Sequence, residues 1–340
     1  MTGFSKRVIS WQKKFGRHDL PWQIDPSPYK TFLSEIMLQQ TQVETVKPYF
    51  EKFLKKFSTI KILAGAHEDS ILSLWSGLGY YRRAINLHRA ARIIQKKHDG
   101  MIPNNVDDLL ALPGVGPSTA GAILSLGYDK YGVITDGNVK RLYSRYFQIS
   151  GDLEKAPYKQ KFLELAKLNM PKTNFSIYSQ GVMDLGATVC TKSAPRCLEC
   201  PLRNDCLSLK FNTVSEFPIK IKKVRSHKTK KYYGLLLKKK GSSECYLEKR
   251  DRNSFWPGRY CIPLFKSGRA LTTFLENDFK GYKKLKNMNT DVQTFKFSHF
   301  LLEISLDCYY VESDDQHFYS REDIKRLGIP NKLKQIIMGL

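Results

Sequence analysis

Leu112-Pro113-Gly114-Val115-Gly116-Pro117-Ser118-Thr119-Ala120 is the stretch from which the rest of the 340-residue chain is best read. It follows one helical pattern and opens another. Two glycines, two residues apart, permit a tight turn with positive φ and leave the backbone uncovered. The helix starting at Pro117 then points its free N–H groups outward, where an anion can sit. A helical hairpin of this kind, about residues 109–125, grips a nucleic acid by its phosphates and not by its base edges. Any helix–helix corner can use glycine, so the turn takes its meaning from what surrounds it.

Outward from the hairpin, residues from Pro28 to about Lys210 read as helices punctuated by Gly, Pro and Asn. Phe50, Phe53, Leu54 and Phe57 recur at helical spacing, as do Ile71, Leu72, Leu74 and Trp75, and Leu87, Ala90, Ala91 and Ile94. No internal repeat has a fixed period. Lys220, Lys222, Lys223, Arg225, Lys228, Lys230 and Lys231 then crowd together, which reads as a solvated linker over 220–231. Beyond it, Tyr232–Leu237, Cys245–Glu248, Phe295–Glu303 and Leu306–Val311 look like strands. The expected organisation is a helical region, 1–219, and a smaller α+β domain, 232–340.

Lys and Arg number 56 against 32 acids, a net charge of +24. A field of that sign attracts phosphate polyanions and anionic membranes. No apolar run is long enough to span a bilayer, and charges interrupt any signal-peptide core near Phe4–Lys14. The expectation is a soluble, cytoplasmic protein, nucleoid-associated when bound to DNA, with no membrane partner and a monomeric state. Seven cysteines, an odd number, argue against a disulfide framework in such a compartment.

Cys190, Cys197, Cys200 and Cys206 are spaced C-x6-C-x2-C-x5-C. Four thiolates in one short loop can surround a metal centre, and the spacing alone fits tetrahedral zinc or an iron–sulfur cubane equally. Cys245, Cys261 and Cys308 read as packing residues. Two acids carry possible chemistry. Glu35 lies in Leu33-Ser34-Glu35-Ile36-Met37-Leu38-Gln39-Gln40-Thr41-Gln42, flanked by Phe32 and Leu38. Partial burial there would raise its pKa and leave a proton donor; an ordinary helical glutamate is the bland alternative. Asp136 lies in Val133-Ile134-Thr135-Asp136-Gly137-Asn138-Val139-Lys140-Arg141, where a carboxylate most often caps a helix. A capping carboxylate is rigid and ionised, so it can also steady a cation.

The segment around Glu35, the hairpin, the Ile134–Arg141 run and the cysteine loop, in this order, resemble the adenine DNA glycosylases (MutY-type) of the endonuclease III, helix–hairpin–helix superfamily. The resemblance implies a mainly α helix–hairpin–helix glycosylase fold with an iron–sulfur loop at 190–206, followed by a Nudix-like domain. It implies one [4Fe-4S] cluster on the four cysteines, a proton from Glu35 to adenine, and Asp136 as stabiliser or transient partner of the sugar cation. Asn138 would position Asp136 or the water. Where bifunctional relatives carry a lysine that forms a Schiff base, this chain has Ser118, so strong strand-cleaving lyase activity is not expected.

Gln39, Gln40 and Tyr80 match residues that wedge into the stack once a nucleotide is flipped out. Gly114, Gly116, Ser118, Lys140, Lys192 and Arg196 are candidate DNA contacts. Phe255–Pro263 and Phe297-Ser298-His299 resemble the segments that sense 8-oxoguanine, with Ser298 the candidate hydrogen-bonding group. No glutamate-rich Nudix hydrolase helix is present in the sequence. The implied reaction is hydrolysis of the N-glycosidic bond of adenine opposite 8-oxoguanine or guanine in duplex DNA, a step of base excision repair. Two rivals stand beside it: a superfamily glycosylase for another base, and a non-catalytic, metal-stapled DNA-binding protein.

Overall fold

The computed structural model describes residues 2–219, 228–251, 254–279, 281–284, 292–297, 300–313 and 315–339. In chain order the helical part contains α1 (Gly3–Phe15), α2 (Pro28–Leu38), α3 (Val43–Lys56), α4 (Ile60–Gly65), α5 (Glu68–Leu74), α6 (Arg82–Lys97), α7 (Val106–Leu110), α8 (Pro117–Ala122), α9 (Gly137–Tyr146), α10 (Tyr158–Leu168), α11 (Phe175–Asp184) and α12 (Leu207–Lys210). The chain divides into two compact units, one of residues 1–65 with 85–222, the other of 66–84 with 223–340. Sequence periodicity places 66–84 with the helical region; the structure groups these residues with the C-terminal fold.

Local chemistry explains where the helices of the first unit begin. Ser27 accepts a hydrogen bond from the Lys30 N–H at 3.2 Å, and Pro28 starts α2 with a preset φ. Phe32, Leu33, Ile36 and Met37 of α2 are buried. They pack α2 against α3, α8 and the π-helical turn Ile123–Gly127. A second core gathers Phe4 and Val8 of α1, Tyr143 of α9 and Tyr178 of α11. The two tyrosine hydroxyls meet there at 2.6 Å, giving each buried hydroxyl a partner. At Gly186 a Cβ would come within 2.7 Å of Asn138, so only glycine lets the turn after α11 approach α9 this closely.

The second unit is an α+β fold: β1 (Lys228–Lys239), β2 (Cys245–Tyr246), β3 (Glu248–Lys249), β4 (Tyr260–Cys261), β5 (Leu264–Phe265), α13 (Gly268–Asp278), β6 (Lys283–Lys284), β7 (Gln293–Lys296), β8 (Phe300–Val311), β9 (Phe318–Tyr319), α14 (Arg321–Arg326) and α15 (Asn331–Met338). Strand order is β6-β8-β1-β2-β9, with β5 on β1 and β7 on β8; β3 and β4 pair separately. The longest pairing is parallel, from Lys228 opposite Phe300 to Lys239 opposite Val311.

Two expectations need correction. Lys228–Lys231, read as linker, are the first residues of β1; their lysine side chains are exposed while the backbone pairs with β8. Lys230 lies 4.6 Å from the centroid of the Phe300 ring, a use of the side chain that charge counting does not reveal. The strand predicted from Phe295 to Glu303 is divided between β7 and β8, and β8 then runs through Ile304–Ser305 to Val311 without a break. Among the described residues no helix is long and apolar enough to cross a membrane.

Candidate active site and cysteine loop

Glu35 is partly buried on α2, between buried Ser34 and buried Ile36. Among the described residues nothing hydrogen-bonds its carboxyl group. Burial, and secondarily the charge of Asp136, push it up to about 8. A carboxyl group in that condition is protonated at neutral pH and can give its proton away. The charge of Asp136 thus reaches the Glu35 carboxyl group.

Asp136 is the N-cap of α9. Its Oδ1 accepts from the Val139 N–H at 2.7 Å and its Oδ2 from the Asn138 amide at 3.3 Å. Burial raises its pKa, while the Val139 and Asn138 N–H groups and the Arg141 guanidinium pull the other way. Arg141 in turn donates to Asn138 Oδ1 at 2.9 Å, to the Gly186 carbonyl at 2.5 Å and to the Cys190 carbonyl at 2.8 Å. The Thr135 N–H, one residue before Asp136, donates to Ser118 Oγ at 2.9 Å. Thus the hairpin and the segment leading to the cysteines both hold the Asp136 turn in place.

Beside Glu35 on α2, Thr31 and Ser34 line a cavity of about 370 Å³. Its other walls mix flat apolar surfaces (Trp22, Pro26, Leu126, Ile177) with Gln12, Arg17, Gln23 and Gln180. Behind it, Asp184 is completely buried. It accepts from Arg17 Nε at 2.9 Å, the Arg17 backbone N–H at 2.8 Å, Gln12 at 3.1 Å and Gln180 at 2.8 Å. A buried charge held this completely fixes the directions of the amide and guanidinium groups around it. Among the described residues, Gln12 Oε1 is a buried acceptor with no hydrogen-bond partner.

All four loop cysteines line a single cavity, with Leu142, Val189, Leu202 and Leu209 around them, and none forms a disulfide. Arg145, 3% exposed, organises the loop. Its guanidinium donates to the carbonyls of Thr191, Lys192 and Phe217 and reaches Cys190 Sγ at 3.4 Å. Burial, with smaller contributions from the other three thiols, pushes Cys200 up to about 12 against a hydrogen bond from the Leu202 backbone. Among the described residues no three such ligands converge on a point suited to one metal ion.

The family profile described as "HhH-GPD superfamily base excision DNA repair protein" matches residues 33–168. The chain is 36% identical to the adenine DNA glycosylase of Buchnera aphidicola subsp. Acyrthosiphon pisum (strain APS), over 98% of this chain and 96% of that one. Identity to the enzyme of the same name from Buchnera aphidicola subsp. Baizongia pistaciae (strain Bp) is 38%, over 98% and 95%. The chain belongs to the adenine DNA glycosylase family. Among solved structures, a thermostable thymine-DNA glycosylase has a TM-score of 0.56 at 28% identity, covering 61% of this chain and 95% of its own. A non-covalent endonuclease III–DNA complex, at 20% identity and a TM-score of 0.51, shares the fold over 62% of this chain and 94% of its own.

For a member of the adenine glycosylase family, the placement of the other candidate residues is informative. Gln39 donates to the Gly114 carbonyl at 3.1 Å, so its amide joins α2 to the hairpin. Gln40 is exposed, with φ of 58°. Gly114 has φ of 85°, and Gly116 is the N-cap of α8. Lys140 pairs with Glu154 at 2.5 Å and Arg196 with Glu199 at 2.9 Å, while Lys192 is exposed. Tyr80 is 46% exposed. Phe297 stacks on Phe300 with centroids 4.4 Å apart; Ser298 and His299 lie outside the described residues.

Sequence reading missed Arg17, Trp22 and Gln180 of the cavity, and Asp184 behind them. A carboxylate in Val182-Met183-Asp184-Leu185, wholly inside an apolar run, is the one signal that could have marked it.

The pH dependence of base release follows from the two acids. A donor role for Glu35 requires its proton, and on that role the rate is expected to fall as pH rises through about 8. A cation-stabilising role for Asp136 requires its ionised form, and on that role the rate also falls on the acid side, at a pH above that of an ordinary aspartate. A single-turnover pH profile that stays flat up to pH 9.5 would rule out Glu35 as the donor. The same shift gives a stability trend: a carboxyl group raised on folding contributes stability fully present below pH 4.5 and lost as pH rises through about 8.

Proposed function

We propose that this chain hydrolyses the N-glycosidic bond of adenine mispaired with 8-oxoguanine, and of adenine opposite guanine less efficiently, leaving an abasic site. The observation that carries the reading is the charge of Asp136 felt by the desolvated Glu35 carboxyl group, on the helix whose Thr31 and Ser34 line a cavity walled by apolar side chains and amides. Loss of a purine demands a proton on the base and relief of positive charge on the sugar. Glu35, raised and without a hydrogen-bond partner, is suited to the first task. Asp136, tethered by Val139 and Asn138, is suited to the second. Gln12, Gln23 and Gln180 present the donor and acceptor groups that a flipped base edge requires.

The hairpin at Gly114–Ser118, with Lys140, Lys192 and Arg196, is proposed as the phosphate-binding track. Gln40 and Tyr80 are proposed as the groups that fill the gap in the stack. Phe297, Ser298 and His299 are proposed as the reader of the opposite base. A [4Fe-4S] cluster on Cys190, Cys197, Cys200 and Cys206 fits the donor set: four thiols around an apolar cavity, with backbone N–H and guanidinium groups directed at sulfur. When bound it would supply a structural staple for the loop. Because Ser118 cannot form an imine, the nicked strand should appear only after alkali is added.

Base release from defined mispairs tests the reading. Free adenine is expected from duplexes with A opposite 8-oxoguanine and opposite guanine, and no base from a G:T duplex. The reading fails if thymine, or nothing, is released. Iron with broad visible absorbance in the purified protein is expected; zinc in its place would refute the cluster assignment while leaving the glycosylase reading intact.

A further inference from the structure

Among the described residues, the second unit buries a cation with no acid at hand. Arg259, immediately before β4, is 0% exposed. Among the described residues the groups around it are carbonyls, a hydroxyl, an aromatic face, the Cys261 thiol and the Lys334 ammonium, with no carboxylate. Nε donates to the Gly328 carbonyl at 3.0 Å, one terminal nitrogen donates to the Ile329 carbonyl, and the same nitrogen reaches Ser76 Oγ at 3.3 Å. The guanidinium lies 3.7 Å from the centroid of the Tyr81 ring. Removing an unpaired guanidinium from water is costly, so its retention here calls for a compensating role.

The segment it touches is a strained turn. Gly77, Gly79 and Tyr80 all have left-handed backbones, with φ of 101°, 76° and 50°. A non-glycine residue keeps such a conformation only where its surroundings over-determine it. From within the segment, Trp75 Nε1 donates to the Gly79 carbonyl at 3.0 Å, Arg83 donates to it at 3.1 Å, and the Gly77 N–H reaches the Tyr81 hydroxyl at 3.2 Å. From the C-terminal fold come Asn331, whose Oδ1 accepts from Ser76 Oγ at 2.7 Å, and Lys249, which pairs with Asp69 at 2.7 Å. Gly328 packs so closely on Leu72 that a Cβ there would lie 3.2 Å away. Of these external contacts, only that of Arg259 reaches Tyr81, the residue after the exposed Tyr80.

We propose that Arg259 is a positioning residue: by clamping Tyr81 it holds the 77–81 turn to the C-terminal fold, so the placement of Tyr80 in the duplex depends on the same unit that carries Phe297. The opposite base and the aromatic wedge are then handled by one rigid piece, and the choice between 8-oxoguanine and guanine passes through this clamp. This deepens the proposed adenine-release reaction and rests on it. A planar fork that both stacks and donates several hydrogen bonds is an arginine property; lysine supplies only the charge.

The test uses the full-length holoprotein with Arg259→Leu, Arg259→Lys, Tyr81→Leu and the double variant Arg259→Leu/Tyr81→Leu. Single-turnover adenine release is measured on A:8-oxoguanine and A:guanine duplexes, together with amide hydrogen exchange. Arg259→Leu is expected to shrink the ratio of the two rates roughly tenfold, the scale of a desolvated cation–π contact. Tyr81→Leu should do the same, and the double variant no more than either, since the two act as one pair. Exchange in residues 76–82 should rise while that in α2 does not. Should Arg259→Leu fail to fold, Arg259→Lys is read by the same criteria, with a smaller loss in the same direction.

An unchanged rate ratio with unchanged exchange in the turn overturns the proposal. So does a double variant whose losses simply add. A wild-type protein that releases no adenine from either duplex sinks the reaction, and the exchange arm then judges the clamp by itself.

Discussion

Glu35→Gln is expected to lower single-turnover adenine release by about 10³-fold while leaving affinity for an A:8-oxoguanine duplex essentially unchanged. The substitution keeps the size and the polar tip of the side chain but removes the transferable proton. Nothing on α2 should shift, because among the described residues the carboxyl group makes no hydrogen bond that a glutamine would break. Burial is what makes the native group a donor at neutral pH, and the field of Asp136 adds to it. A stopped or quenched time course measures the rate, and a fluorescence titration measures binding. Turnover at the wild-type rate would remove Glu35 from the mechanism, and loss of binding alongside activity would make it a structural residue.

The second large effect is at Asp136, where one side chain has two duties that can be separated. Asp136→Asn keeps an oxygen able to accept from the Val139 N–H, so α9 should remain capped. The negative charge proposed to steady the sugar cation is lost, and release is expected to slow by about 10²–10³-fold. Asp136→Ala removes charge and cap together, and should in addition cost about 1 kcal/mol of folding stability. Thermal unfolding of both variants beside their rates makes the separation. If Asp136→Asn retained full activity and only Asp136→Ala lost it, the residue would be a helix cap and nothing more.

Among these positions the legible ones share a property: their meaning is carried by near neighbours in the chain. Ser27–Pro28 and Asp136–Gly137 announce helix starts because capping is satisfied within three residues. The Gly114–Gly116 turn and the cysteine spacing likewise declare themselves within a few positions. The alternation in Leu301–Leu306 and Cys308–Val311 identifies strand, yet not the parallel partner some seventy residues earlier, as the Lys228↔Phe300 pairing shows. Lys228–Lys231 were misread as linker because lysine reports exposure, and an exposed strand edge and a solvated loop expose it alike.

By itself, then, the sequence was enough to establish a helical hairpin glycosylase scaffold, a four-thiol loop, an α+β tail and two acids of the right type. That the charge of Asp136 reaches Glu35 was visible only in the tertiary structure. Desolvation of Glu35 depends on side chains brought from distant segments, and so does the Asp184 cluster that ties Gln12 and Arg17 to Gln180 behind the cavity. The grouping of 66–84 with the C-terminal fold, and the burial of Arg259 against Tyr81, were equally invisible in one dimension. Hydrophobic period tells a segment which face to bury; it is the complementary surface, supplied from elsewhere in the chain, that sets the partner and with it the local dielectric and charge.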